Sequence, residues 1–317
     1  VKRYGNLYGK IYGLDNLRLA DTIARKGKSK QRGVIDHDKN REANILALHD
    51  SLKNKTYTTS RYTTFTIKDP KERLIHCLPY YPDRIVHHAI MNVIKPIVFN
   101  TFTADTYSCI EGRGVHKAVK AVKKALTDVP GTKYCLKLDI RKFYPSIDHD
   151  VLKALLRKKF KDNDLLWLLD GIIDSAEGMP IGNYASQILS NFYLTYFDHW
   201  LKETKHIKYY FRYADDMVIF SDSKAFLHSI LADIRKYLKD ELKLTVKDNY
   251  QVFPVDERGL DFLGYVFRHP YTLLRKRNKK NFARMMAKRR NKQSIASYKG
   301  LASHCDSRHL VKKLIGA

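Results

Sequence analysis

Asp215 and Asp216 are adjacent carboxylates set between two apolar runs, Tyr209–Tyr213 and residues 217–220. Runs of that composition make strands, and a polar pair between them makes a tight turn, so both acids are expected at the tip of a β-hairpin. Adjacent carboxylates repel one another and gain little from burial, which points to divalent cations as partners. Taken alone, the pair also fits ordinary turn chemistry. A third carboxylate, Asp139, closes the β-like run Tyr134–Asp139 well upstream. If that run neighbours the hairpin, Asp139 and Asp215 come together and can bridge two Mg²⁺ ions, with Asp216 a weaker or outer partner. Two such ions stabilise both the attacking and the leaving oxygen of an in-line displacement at phosphorus.

Positioning these acids requires a sheet, and the surrounding pattern supplies its strands and the helices to cover it. Residues 1–60 read as mostly helical and basic, with Ile45, Leu46, Leu48 and Leu52 on roughly one face. Residues 62–67 alternate like a strand, and 73–78 resemble a second one after the turn signal Asp69-Pro70. Helices are expected over 83–99, after the glycines Gly112 and Gly114, over 151–169 behind the cap candidates Asp148 and Asp150, over 185–201 and over 223–242. Residues 252–254 and 262–267 are strand-like. The tail over 275–292 is basic but holds Phe282, Met285 and Met286 at helical spacing. The order predicts an α+β architecture in which an antiparallel sheet is covered by helices on one face.

The 317 residues hold 59 Lys and Arg against 33 Asp and Glu, a formal net charge of +26. Such an excess is the footprint of a protein that tracks a phosphate backbone, and it makes the basic tail a nucleic-acid-contacting helix. Basic amphipathic helices beside apolar anchors are missing, as are transmembrane-length apolar runs and a secretory h-region, so no membrane partner is expected. Cys77, Cys109, Cys135 and Cys305 show no C-x-x-C pairing, which argues against structural zinc and for reduced thiols.

Five segments in order resemble the palm motifs of reverse transcriptases. They are Leu138-Asp139, Phe143-Tyr144-Pro145-Ser146-Ile147, Met179-Pro180-Ile181-Gly182 with Ser186-Gln187, Tyr213-Ala214-Asp215-Asp216, and Phe262-Leu263-Gly264-Tyr265. The resemblance covers about residues 60–270. It implies a right-hand polymerase: an N-terminal basic helical extension (1–59), fingers and palm (60–268) and a short basic helical thumb (269–317). It also implies Asp139, Asp215 and Asp216 as catalytic residues, with Ile140 alongside them at the metal positions. The cofactor would be two Mg²⁺ ions per active site, with Mn²⁺ as a substitute. One ion would activate a primer 3′-hydroxyl and the other would hold the triphosphate. Tyr144, five residues after Asp139, takes the place of the steric gate that collides with a ribose 2′-OH, and Phe143 is the alternative as a core aromatic. Lys71 and Arg73 fall at the basic finger positions against the triphosphate, where a planar guanidinium suits phosphate oxygens better. Ile181 and Gln187 complete the nucleotide-binding set, and Phe262, Leu263, Gly264 and Tyr265 form the primer grip. Arg275, Lys276, Arg284, Lys288 and Arg289 would bind template and primer. The family's Lys ahead of the grip has no clear counterpart, which leaves the role of Lys247 open.

Ile181 and Gln187 stand where many reverse transcriptases have Gln and Pro, and that form is similar to the enzymes of diversity-generating retroelements. Arg3-Tyr4-Gly5-Asn6-Leu7 and Pro70-Lys71-Glu72-Arg73-Leu74-Ile75 fit the same group. The likeness implies a cytoplasmic enzyme of a bacterium or phage-infected host that copies a template-repeat RNA into cDNA with errors at adenines. Its partners would be that RNA, the cDNA primer and product, dNTPs and a small basic helical accessory protein. A branched aliphatic at 181 cannot hydrogen-bond the incoming sugar as an amide would, which removes one geometric check. The rival readings are a group II intron or retron-type reverse transcriptase of ordinary fidelity, a non-catalytic, maturase-like RNA-binding protein, and an RNA-dependent RNA polymerase, which Tyr144 and Ala214 disfavour.

Overall fold

The computed structural model describes residues 2–68, 72–288 and 291–316. The chain folds into two compact units. One comprises Val1–Thr103, Arg141–Asp198 and Leu238–Leu244, and the other Ala104–Ile140, His199–Tyr237 and Thr245–Ala317.

The first unit begins, as expected, with helices: Tyr8–Tyr12, Leu14–Ala24, Arg32–Asp38 and Arg41–Lys53. Ile11, Leu17, Ala20, Ile45, Leu48 and Leu52 are buried there. Asp21 is buried with them because Arg25, Arg41 and the Tyr80 hydroxyl all bond its carboxylate, which offsets the cost of removing a charge from water. Strands β1 (Thr63–Lys68) and β2 (Glu72–Cys77) form an antiparallel ribbon in which Ile67 faces Arg73 and Phe65 faces Ile75. The apolar helix Ile85–Phe99 follows.

The single helix expected over 151–169 is two, His149–Lys159 and Asn163–Ile173. Phe160 leaves the first in an extended conformation, and Asp162 caps the second by accepting the Leu165 amide at 3.1 Å. The other Asp162 oxygen accepts the amides of Leu7 and Tyr8, so a long-range bond fixes the break. Asp148 caps the first helix through the Val151 amide at 3.0 Å, the ordinary use of an aspartate before a helix.

In the second unit β3 (Tyr134–Asp139), β4 (Tyr209–Tyr213), β5 (Asp216–Ser221) and β6 (Gln251–Pro254) make an antiparallel sheet in the order β4-β5-β3-β6. Cys135, Phe211, Val218, Phe220 and Phe253 form one core cluster with Ala118, Val119 and Val122 of the helix Val115–Ala125. Residues 262–267, expected as one strand, are instead a hairpin. β7 (Leu260–Phe262) and β8 (Tyr265–Phe267) flank a two-residue turn, and β9 (Thr272–Leu274) adds a third strand. Leu263 and Gly264 both have positive φ, 53° and 89°, as a primed hairpin turn demands.

The basic tail forms helices Lys276–Lys288, Lys292–Ala302 and Arg308–Ile315, with Phe282 buried and stacked on Tyr298. Of the helix expected over 275–292, Lys276–Lys288 is helical, 289 and 290 lie outside the described residues, and Asn291 caps the helix that follows. Among the described residues no helix is long and apolar enough to cross a membrane.

Candidate active site

The register of the second unit's sheet brings the acids together. Asp139, last in β3, pairs directly with Asp216, first in β5, and Asp216 pairs with Tyr213 of β4. Ala214 and Asp215 are the two-residue turn of the expected hairpin. Ala214 lies in the left-handed region at φ 54°, uncommon for a residue with a Cβ. Beneath the turn Arg212 is wholly buried and donates to the Ala214 carbonyl at 3.1 Å. Its own amide and carbonyl bond residues 105 and 107, which run parallel beside β4. A strained turn is thus held by a guanidinium below it and a backbone bridge alongside.

The carboxylates are electrostatically frustrated. Burial and hydrogen bonding to Asp139 push the Asp215 carboxyl up to about 7, with Lys247 opposing. Burial lifts Asp216 to about 6; Lys137 opposes this and Asp139 adds to it. Asp139 Oδ1 and Asp216 Oδ1 are buried with no hydrogen-bond partner. Unpaired buried carboxylate oxygens are costly, and they suit a hard divalent cation that takes oxygen ligands. The residues therefore fit metal ions, although among the described residues no group of three or more His, Cys, Asp or Glu is already gathered as a coordination shell. Ile140 is buried and forms an antiparallel bridge with Val246.

Two ammonium groups attend these acids. Lys247, whose role the sequence left open, places its amine on Asp139 Oδ2, and its backbone amide donates to the Asp139 carbonyl at 2.9 Å. Lys137, two residues before Asp139 in β3, lies 3.9 Å from Asp216 Oδ2 and donates to the carbonyl of Asp261. The Asp261 carboxylate pairs in turn with Arg275, whose amide donates to the Gly264 carbonyl at 2.9 Å. Phe262 and Tyr265, flanking that turn, are buried. A cavity of about 130 Å³ is lined by Lys137, Leu138, Asp139, Asp216, Asn249 and Gln251. Lys276, Arg284 and Lys288 are exposed on the helix Lys276–Lys288, and Arg289 lies outside the described residues.

The expected nucleotide-binding residues belong to the first unit. Arg73 is exposed on β2, and Lys71 lies outside the described residues. Tyr144 opens a short 3₁₀ turn, half-buried, with its ring edge-on to Phe143 at 5.5 Å; Phe143 itself is buried. The Tyr144 carbonyl accepts the Met179 amide at 2.8 Å, and the Ile181 carbonyl accepts the His76 amide at 2.8 Å. These bonds gather β2, the Tyr144 turn and Ile181 into one group. Gly178, at φ 58°, is required there, because a Cβ would lie 2.6 Å from the Pro145 carbonyl oxygen. Gln187 is exposed on the helix Tyr184–Tyr193.

Residues 67–267 match the family described as reverse transcriptase (RNA-dependent DNA polymerase). The chain belongs to the reverse transcriptase family. Protein YkfC of Escherichia coli (strain K12) is 28% identical to it over 247 residues, which cover 64% of this chain and 63% of that protein. Group II intron-encoded protein LtrA of Lactococcus lactis subsp. cremoris is 24% identical over 197 residues, 57% of this chain and 32% of LtrA. The chain thus spans less than two thirds of the length of either relative. Telomerase from Candida albicans superposes with a TM-score of 0.53 at 10% identity, over 74% of this chain and 51% of that one. Apo telomerase from Candida tropicalis gives 0.52 at 13%, over 76% and 51%. At such identities the likeness is one of fold.

Sequence reasoning did not single out Lys137, Arg212 or Asp261 in this member of the family. Lys137 had a usable signal, since residues two apart on a strand share a face and it shares that of Asp139. Asp261 had none, because Lys137 and Arg275 lie far from it in sequence; the burial of Arg212 beside residues 105 to 107 is likewise set by distant pairing, although its guanidinium bonds the Ala214 carbonyl two residues on.

Proposed function

We propose that this chain is the catalytic region of an RNA-directed DNA polymerase, with fingers and palm over 60–268 and thumb over 269–317. The observation that carries this reading is the β3–β5 pairing that sets Asp139 against Asp216 beside Asp215, with two buried carboxylate oxygens lacking partners. Asp139, Asp215 and Asp216 would hold two Mg²⁺ ions, which supply charge stabilisation to the entering 3′-oxygen and the departing pyrophosphate. Lys247 keeps Asp139 oriented and limits the repulsion among the acids. Tyr144 excludes a ribose 2′-OH, Arg73 binds the triphosphate, and Phe262 to Tyr265 grip the primer end. Basic side chains from Arg275 to Arg289 follow the template–primer backbone.

The finer reading is a reverse transcriptase of a diversity-generating retroelement that copies a template-repeat RNA with errors at adenine and works with a small basic accessory protein. Ile181 supports it, offering no side-chain hydrogen bond where many relatives carry Gln. Loss of one sugar-directed bond changes discrimination by about 0.5–1.5 kcal/mol, several-fold in rate. Sequencing cDNA from the parent and from Ile181→Gln tests this: errors should concentrate opposite template adenine in the parent and fall there selectively in the variant. Uniformly low error over all four template bases would instead favour an intron-type enzyme of ordinary fidelity. That second reading draws on the likeness to the group II intron-encoded protein.

A further inference from the structure

We propose that Tyr62 and Asn183 are specificity-determining positioning residues for nucleotide selection, acting by fixing the segment that carries Ile181 to the ribbon that carries Arg73. The proposal rests on the reading of Ile181 as a nucleotide-facing residue.

Asn183 stands at the N-cap of the helix Tyr184–Tyr193, where an asparagine ordinarily accepts a backbone amide of the first turn. It makes no such capping bond. The residue is only 7% exposed, and its side chain instead donates to the Tyr62 hydroxyl at 2.9 Å. The Tyr62 hydroxyl lies 2.9 Å from Ser175 Oγ, and Ser175 Oγ donates to the Ile172 carbonyl at 2.6 Å. With the serine proton committed to that carbonyl, the proton between Tyr62 and Ser175 must come from the tyrosine. The chain runs in one direction, from the Asn183 amide through Tyr62 and Ser175 to Ile172. Tyr62 immediately precedes β1, so this chain anchors residues 175–183 to the base of the β1–β2 ribbon.

A second attachment lies on β2 itself. The His76 amide donates to the Ile181 carbonyl, and the Tyr62 ring meets the His76 ring edge-on at 5.7 Å. Gly182 has φ 125°, and a Cβ there would lie 2.4 Å from the His76 carbonyl oxygen. The strand backbone therefore presses directly on the segment. The Ile181 backbone is pinned by a main-chain bond on one side and by Asn183 two residues later, which leaves the segment little freedom to shift around a mismatched nucleotide.

Tyr62→Phe removes one hydroxyl and strands the Asn183 amide while keeping the ring on His76. We expect the KM for the correct dNTP to rise and discrimination to fall by about three- to tenfold, the scale of the net contribution of one hydrogen bond, with kcat changed by less than about twofold. Asn183→Ala should act in the same direction. Steady-state single-nucleotide incorporation with matched and mismatched dNTPs, run beside Ile181→Gln, reads all these quantities. If Ile181→Gln alters discrimination while Tyr62→Phe and Asn183→Ala leave it at the parent value, the positioning proposal is wrong and the reading of Ile181 stands. If none of the three alters it, both fail. A fall in kcat with unchanged KM and discrimination marks Tyr62 as merely structural and also overturns the proposal.

Discussion

Tyr144 is the residue whose side chain carries the most specific expectation. Its ring is half-buried at the head of a 3₁₀ turn, braced edge-on by Phe143, and its carbonyl is tied to Met179. A braced aromatic can act as a steric wall, whereas Phe143 is buried and serves the core. Tyr144→Val should therefore admit ribonucleotides, raising the rNTP-to-dNTP incorporation ratio by about tenfold or more, a difference of at least 1.4 kcal/mol. Single-nucleotide extension with each sugar checks it, and an unchanged ratio would mean that the gate is another residue. At this scale the sequence made legible the meeting of the acids, Asp139 at a strand end against Asp216 beside the hairpin turn that carries Asp215. It was illegible where a role depends on who sits opposite: nothing local to Lys247 or Asp261 announces that one will hold Asp139 and the other will link Lys137 to Arg275.

Among the elements, strands and amphipathic helices with strong periodicity are legible close to their final bounds, as with β3, β4 and the helix Lys224–Leu242. Breaks inside apolar runs are not. Residues 151–169 and 262–267 each keep one hydrophobic pattern across an interruption, made by Asp162 reaching Leu7 and Tyr8 in one case and by Leu263 and Gly264 at positive φ in the other. The helix Ile85–Phe99 carries a consequence that periodicity alone does not show. His87 is wholly buried on it, and burial holds its imidazole down to about 4, with Asp83 opposing and His88 and Arg84 adding. A histidine depressed in the folded state takes its proton first in the unfolded chain. Its stabilising contribution is complete above the unfolded value near 6.5 and is lost as pH falls from there toward about 4, at a limiting slope of about 1.4 kcal/mol per pH unit. Urea unfolding of the parent and of His87→Leu between pH 7.5 and 5 should show a steeper loss in the parent. Parallel curves would remove His87 as a source of acid lability.

For the molecule as a whole, a net charge of +26 makes engagement of nucleic acid an electrostatic problem before it is a matter of fit. Arg284 and Lys288, exposed on the helix Lys276–Lys288, are placed to contribute. Replacing both with Gln should flatten the log–log salt dependence of template–primer binding by about 0.7–0.9 for each phosphate that is no longer neutralised, and an unaltered slope would show that face to be solvated only. On the proposed reading, this charge delivers a template and primer to the carboxylates Asp139, Asp215 and Asp216, which would catalyse DNA synthesis. The decisive measurement is primer extension by Asp139→Asn and Asp215→Asn on an RNA template with Mg²⁺, alongside their affinity for that template. Extension is expected to fall by about a thousandfold or more in each variant, a loss of at least 4 kcal/mol of transition-state stabilisation, while binding stays near the parent value. Extension within tenfold of the parent by both variants, with dNTPs and Mg²⁺ saturating, would contradict it.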